Sequence, residues 1–442
     1  MAATPAKQAG SRPPRIWRRS SVRYVAGFCI LAVAAYIFLA LFQPGLQYKI
    51  SQPPVGALDS ENFRHELEAL VEAKFNTNTT VEVIANGENF YAAELAAIRA
   101  AQHNINLEAY IFHRGKITDQ VIAALTERAR AGVRVNLNLD ALGSLTMPKY
   151  RFRELRQAGG NVQWYHQMRW YSWPRYNNRT HRELTVIDGR VAFLGGAGFS
   201  DQWIYGKSNQ PRWRDTMFRV RGDSVASLQG TFVENWVQSA HELVTGRDYF
   251  PFEPSSGKTL AMVVNSSPSM GGSTPARILF QALVASARKS IVITTPYFLP
   301  DHSLRDELVR AIKQRGVKVR ILTPGEHTDH FLTRRSSRRL YGDLLQAGAK
   351  IYEYQASMIH CKILIVDGLW SVVGSTNFDS RSFGLNDEVN LAALDPALAE
   401  TLERQFGDDL EHSRAVSYDE WSRRSYFQRA QEYLGWLIER QE

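Results

Sequence analysis

Ser357-Met-Ile-His-Cys-Lys-Ile-Leu-Ile-Val-Asp-Gly-Leu-Trp-Ser-Val-Val-Gly-Ser-Thr-Asn377 is the stretch whose reading decides the fold. Residues two apart on a strand share a face, so His360 and Lys362 point into one pocket and Cys361 points away. Ile363 to Val366 is a β-branched run of the kind that fills buried strands. Asp367-Gly368 signals a hairpin, and Leu369 to Val373 supplies the returning strand. Gly374-Ser375-Thr376-Asn377 then offers small side chains and backbone amides at the same rim. Histidine can act as nucleophile or acid, lysine can neutralise a phosphate, and Ser375 and Asn377 can donate to its oxygens.

Working outward, the same pattern occurs earlier. His181-Arg-Glu-Leu-Thr-Val-Ile-Asp-Gly-Arg-Val-Ala-Phe-Leu-Gly-Gly196 aligns with His360 to Ser375, and the stretches before them also match: Leu155-Arg-Gln-Ala-Gly-Gly-Asn-Val-Gln-Trp-Tyr165 against Leu344-Leu-Gln-Ala-Gly-Ala-Lys-Ile-Tyr-Glu-Tyr354. A divergent duplication accounts for this. From Val81 the chain alternates strands and helices, which predicts an α/β body. Strands are expected over 106–112, 133–139 and 161–165, then over 290–297, 317–322 and 350–354. Helices are expected over 119–131, 150–158, 274–288, 304–315 and 338–347. Residues 60–75 read as a short amphipathic helix, and 76–80 as a polar break.

A His-x-Lys-x4-Asp motif followed by Gly-Ser-x-Asn, complete once and altered once in a duplicated α/β body, resembles the phospholipase D superfamily. Arg175 to Arg182 and Gly195 to Asp201 are similar to bacterial cardiolipin synthases and their relatives, and the likeness covers residues 81 to 415. The resemblance implies two phospholipase D-like half-domains, 81–250 and 251–415, with the active site at their interface. It implies phosphoryl transfer without metal or cofactor: His181 attacks phosphorus, and His360 protonates the leaving alcohol and then serves as base. Lys362, Ser375 and Asn377 would clamp the phosphate, with Gly196 contributing only its backbone amide in the first copy. Asp215 and Glu388 would each orient the histidine of the opposite half, Asp215 with His360 and Glu388 with His181. Asp188 and Asp367 match the motif aspartate, but both lie out of phase with their histidines beside the hairpin glycine, so a supporting role at the turn is expected.

Glu183 departs from the pattern, standing where the family has lysine. A carboxylate repels a phosphate oxygen, the more so at low dielectric. It can pair with Arg179 or Arg182, bind a hydroxyl or amine of the acceptor alcohol, or mark a dead first site.

Composition sets the surroundings. The net charge of +9 is concentrated at the start: residues 1–23 carry six basic and no acidic side chains, leaving 47 basic against 44 acidic in the rest. That body lacks the charge of a dedicated nucleic-acid binder. The two cysteines, Cys29 and Cys361, make neither a disulfide framework nor a cysteine-rich metal site. Residues 24–42 are uncharged and apolar over a membrane-spanning length, which predicts a single-pass anchor with the basic tail cytoplasmic and the body on the far face. Residues 43–80 would be a linker and short helix, and 416–442 a C-terminal helix, either interfacial or closing the second half. The aromatic and arginine-rich run 164–176 suits a lipid headgroup at a membrane surface or a loop packed on the core. Arg334, Arg335, Arg338 and Arg339 suit an anionic lipid or a solvated helix face. The expected activity is transfer of a phosphatidyl group between phosphatidylglycerol molecules or to a related alcohol. The alternatives are a hydrolase using water, a nuclease, which the body's charge disfavours, and a silent lipid-binding protein.

Overall fold

Two half-sheets of the same strand order meet side by side in the computed structural model, which describes residues 15–41, 48–51, 56–167, 177–206, 210–252, 256–268 and 273–438. The chain forms two units, Met1–Pro44 and Gly45–Glu442. The first is the helix Arg15–Leu41, on which Tyr24, Phe28 and Leu31 are exposed. No helix among the described residues is long and apolar enough to cross a membrane. The basic residues Lys7 and Arg12, part of the linker, and most of the aromatic run (168–176) lie outside the described residues.

In the second unit the first half supplies β1 (Phe75–Ala85), β2 (Asn104–Ala109), β3 (Arg134–Asp140) and β4 (Asn161–Tyr165). Then come β5 (Arg179–Thr180), β6 (Glu183–Ile187), β7 (Val191–Gly195) and β8 (Thr216–Gly222). The second half supplies β9 (Thr259–Ser266), β10 (Ser290–Thr294), β11 (Phe298–Leu299), β12 (Lys318–Pro324) and β13 (Lys350–Tyr354). It ends with β14 (Ile363–Val366), β15 (Trp370–Gly374), β16 (Phe378–Asp379), β17 (Asn386–Leu394) and β18 (Ser413–Val416). From the centre outward the halves run β1-β8-β7-β6-β2-β3-β4 and β9-β17-β15-β14-β10-β12-β13, with β18 added at the edge. The duplication is thus visible strand by strand. β1 and β9 pair antiparallel and fuse the halves into one sheet. In each half the hairpin is antiparallel and the outer three strands are parallel, linked by crossover helices.

The packing divides accordingly. Helices Gly87–Ala100 and Lys116–Arg130 cover one face of the first half around Leu107, Leu137 and Phe112. Helices Pro275–Ser286 and His302–Arg315 do the same for the second half around Ile291, Ile321 and Leu364. On the other face one core is shared: Phe218, Phe232 and Trp236 join Ile365, Leu391 and Phe406. Helix Ser224–Ala240 presents Val225, Leu228, Phe232 and Trp236 to it at helical spacing.

The polar break expected over 76–80 is instead part of β1. Asparagines and threonines form a strand there because β8 and β9 flank it, and buried Thr79 bonds Ser224 Oγ at 2.6 Å. The helix expected over 338–347 is two, Phe331–Arg339 and Tyr341–Ala347, and the C-terminal region forms Tyr418–Ser422 and Tyr426–Ile438. Of the arginines on the first of these, Arg334 and Arg338 pair with buried Glu353 rather than facing solvent alone.

Candidate active site

Each hairpin turns on an aspartate and a glycine at positive φ: Asp188 (54°) with Gly189 (61°), and Asp367 (57°) with Gly368 (66°). Primed turns require this backbone, and aspartate tolerates it better than most side chains. Asp188 accepts the backbone N–H groups of Gln102, His103 and Asn104 at 2.8, 2.7 and 2.9 Å. Asp367 does the same for Arg288, Lys289 and Ser290 at 2.9, 2.7 and 2.9 Å. They bolt the hairpin tip to the start of β2 or β10, about 20 Å along the strand from the histidines. The carboxylates of both aspartates are thus committed to backbone amides at the turn, away from the histidines.

At the other end of each hairpin the chain crosses to the opposite half. β5 pairs with the start of β17, and Ile359 bridges Arg214, just before β8. The N–H of His181 donates to the Asp387 carbonyl at 2.9 Å, and that of His360 to the Arg214 carbonyl at 2.7 Å. The next residue on each receiving segment is a carboxylate. His181 Nδ1 lies 3.1 and 3.2 Å from the two oxygens of Glu388, and His360 Nδ1 lies 3.0 Å from Asp215 Oδ2.

Both carboxylates are fully buried and further held. Asp215 also accepts from Trp203 Nε1 at 3.0 Å and Thr216 N at 2.8 Å, while Ser375 donates its hydroxyl to Glu388. Burial alone would raise their pKa values; the bond and charge of His360, with Lys362, outweigh it at Asp215, and those of His181, with Ser375, outweigh it at Glu388. Both are held below the ordinary carboxylate range. Burial and then the charge of Lys362 pull His360 below its ordinary value, against the support of Asp215. Each anion fixes a proton on Nδ1 and leaves Nε2 as the reactive nitrogen. Trp203 and Trp213 flank His360 at 5.5 and 5.2 Å between ring centres, and Tyr110 meets His181 at 5.3 Å.

Lys362 Nζ donates to the His360 carbonyl at 2.8 Å and lies 2.9 and 3.2 Å from the two ring nitrogens, against the imidazole. It reaches the first half: a Cβ on Gly196 would stand 2.8 Å from that Nζ. The expected clamp is otherwise rearranged. Ser375 is fully buried and spent on Glu388 and Val389, so it positions a carboxylate instead of facing a substrate. Asn377 is buried, and its side-chain Oδ1 has no hydrogen-bond partner among the described residues.

Glu183 pairs with neither arginine. Arg182 turns to the other face, onto Glu234, Asn265 and the Thr231 carbonyl, and Arg179 faces Asp140 at 3.5 Å. Glu183 Oε1 instead accepts the Ile111 N–H at 3.0 Å, while Oε2 is buried without a hydrogen-bond partner among the described residues. Burial drives this carboxyl well above the ordinary range, although the Ile111 amide and the Lys362 charge oppose the rise.

Several neighbours of the site escaped the sequence reading. Asp379, two beyond Asn377 and so in phase with it, is buried and pushed up to about 6 by that burial, although bonding to Ser382 N opposes the rise. Tyr297 donates to Asp329 at 2.5 Å, and the charge of Asp329 acts on both His360 and Lys362. Spacing gave a signal for Asp379; only tertiary packing places Tyr110, Tyr297 and Asp329. No group of three His, Cys, Asp or Glu among the described residues is placed to share a metal ion.

Comparison with known proteins matches the family described as "Cardiolipin synthase, PLD-like domain" over residues 95–210 and 280–410, one segment in each half. The chain is 33% identical over 344 residues to a probable cardiolipin synthase, YwiE, of Bacillus subtilis, covering 77% of this chain and 68% of that protein. It is 34% identical to the major cardiolipin synthase ClsA of the same organism, covering 83% and 76%. Among solved structures, a phosphatidylserine synthase of Haemophilus influenzae superposes with a TM-score of 0.65 at 15% identity, over 85% of this chain and 96% of that one, a likeness of fold.

Proposed function

Because the chain belongs to the cardiolipin synthase family of PLD-like proteins, we propose that it is a phosphatidyltransferase that joins two phosphatidylglycerol molecules, or one and a related alcohol, through a phosphohistidine. The observation that carries this reading is the crossed pair of imidazole–carboxylate couples, His181 with Glu388 and His360 with Asp215. A single couple could serve hydrolysis of many kinds; two facing couples suit double displacement at one phosphorus.

In the first step Nε2 of His181 attacks phosphorus and the P–O bond to the leaving glycerol breaks. His360, protonated on Nε2, gives that proton to the departing oxygen. In the second step the acceptor hydroxyl loses its proton to His360 as its oxygen attacks, and the P–N bond breaks. Glu388 stabilises the charge that His181 gains on becoming phosphorylated, as Asp215 does for protonated His360. Lys362 offsets charge on the phosphoryl oxygens. The apolar residues 24–42 and the preceding basic tail support a single-pass anchor with the N-terminus cytoplasmic and the body on the opposite face.

The test is lipid analysis in a host lacking its own cardiolipin synthase. The natural chain is expected to produce cardiolipin and release glycerol, and His360→Ala to produce none. Phosphatidic acid in place of cardiolipin would move the reading to a hydrolase. No new lipid from the natural chain would move it to a silent lipid-binding protein.

A further inference from the structure

The first copy of the motif lacks the lysine, serine and asparagine of the second, holding Glu183, Gly196 and Gly198 at those positions. These three changes fit one another in space. A Cβ on Gly198 would stand 2.6 Å from Glu183 Oε1 and 2.5 Å from the Ile111 carbonyl, so this carboxyl occupies room that a side chain at 198 would need. A Cβ on Gly196 would stand 2.8 Å from Lys362 Nζ. Gly196 and Gly198 are two apart in sequence, so Lys362 and Glu183 lie over neighbouring points of one short segment. Glu183 Oε1 is used by the Ile111 amide, and Oε2 is buried with no hydrogen-bond partner among the described residues.

The geometry points to Glu183 as a hydrogen-bond donor through Oε2 to a phosphoryl oxygen of the bound phosphodiester, replacing the first copy's missing lysine. This rests on the phosphatidyltransferase reading above. An ionised carboxylate there would repel the substrate and cancel Lys362; a neutral acid does neither and donates. The charged and titratable groups facing it are Lys362, Glu94, Tyr91 and Tyr110. Burial favours the protonated form, the carboxyl of Glu94 adds to that, and Lys362 opposes it. Each half then supplies one donor to the phosphoryl group, a cationic one from Lys362 and a neutral one from Glu183. A neutral donor then stands where a second lysine would add a positive charge, which lets a second anionic phospholipid enter and leave without being held as tightly.

Two measurements on the full-length chain test this. In the infrared, the difference between natural chain and Glu183→Gln should contain the C=O band of a protonated acid, and the band should shift on adding phosphatidylglycerol vesicles. This readout is independent of turnover, so it separates failure of this inference from failure of the transferase reading; a missing or unshifted band overturns the inference. In transfer assays, the rate of the natural chain should fall as alkali ionises Glu183. Glu183→Gln, a permanent donor, should lose that alkaline limb, and Glu183→Ala should run about 10–100-fold slower than Glu183→Gln, as loss of a hydrogen bond to a charged group predicts. A Gln variant as slow as Ala, or one that keeps the alkaline limb, would overturn the inference.

Discussion

Glu388 and Asp215 each accept a hydrogen bond from Nδ1 of a histidine delivered by the other half of the sheet. Their charge sets the imidazole tautomer and stabilises whatever charge that ring gains. Glu388→Gln and Asp215→Asn keep the shape and remove the charge. Each is expected to slow transfer by about a hundred-fold or more, within the range of general acid–base effects, as measured by turnover on phosphatidylglycerol vesicles. A loss of stability with turnover intact would contradict this role. The acid side follows from the same shifts. Both carboxyls have folded values below their ordinary ones, so their contribution to stability is present above the ordinary carboxylate range and is lost as pH falls through the lowered folded values.

At the scale of the element, the hairpin separates support from chemistry along its length. Its rim carries histidine and lysine, and its tip carries an aspartate that ties three backbone amides at the start of β10, the strand beside β14 in the sheet. Asp367→Ala removes a charged acceptor from those amides and replaces a residue tolerant of positive φ. The expected cost is about 2–3 kcal/mol of stability, read as a lower urea midpoint, with turnover per folded molecule within about two-fold of the natural chain. Asp188→Ala should behave alike in the first half. A large fall in turnover without a fall in stability would return these aspartates to the chemistry.

For the whole molecule, the large sheet and the helices packed on it bury carboxyls that serve no ion pair among the described residues. Burial pushes Glu94 and Glu108 each from 4.5 up to about 7. A carboxyl whose folded value is raised binds its proton more tightly when folded, so stability declines as pH rises from about 4.5 to about 7 and then levels. A shift of that size corresponds to about 3 kcal/mol per group. Urea unfolding at pH 5 and pH 7.5 should show the decline, and Glu94→Gln should shrink it. An unchanged difference in that variant would mean that Glu94 is ionised in the folded chain.

Much of this protein is legible without coordinates, because alternation and turn chemistry are local. The hairpins at Asp188-Gly189 and Asp367-Gly368, the shared face of His360 and Lys362, strands β4 and β13, and the duplication all follow from periods of two and repeated strings. What only the tertiary structure decided involves contacts between distant segments. Residues 76–80 look like a break but form a strand, because pairing on both sides satisfies a polar backbone run that its own side chains do not specify. Ser375 shares the motif rim yet serves Glu388, and Arg182 adjoins Glu183 yet points to the other face. Neighbours in sequence fix the direction of a side chain; the partner it meets, and so its protonation, is set by what the other half of the sheet brings to that spot.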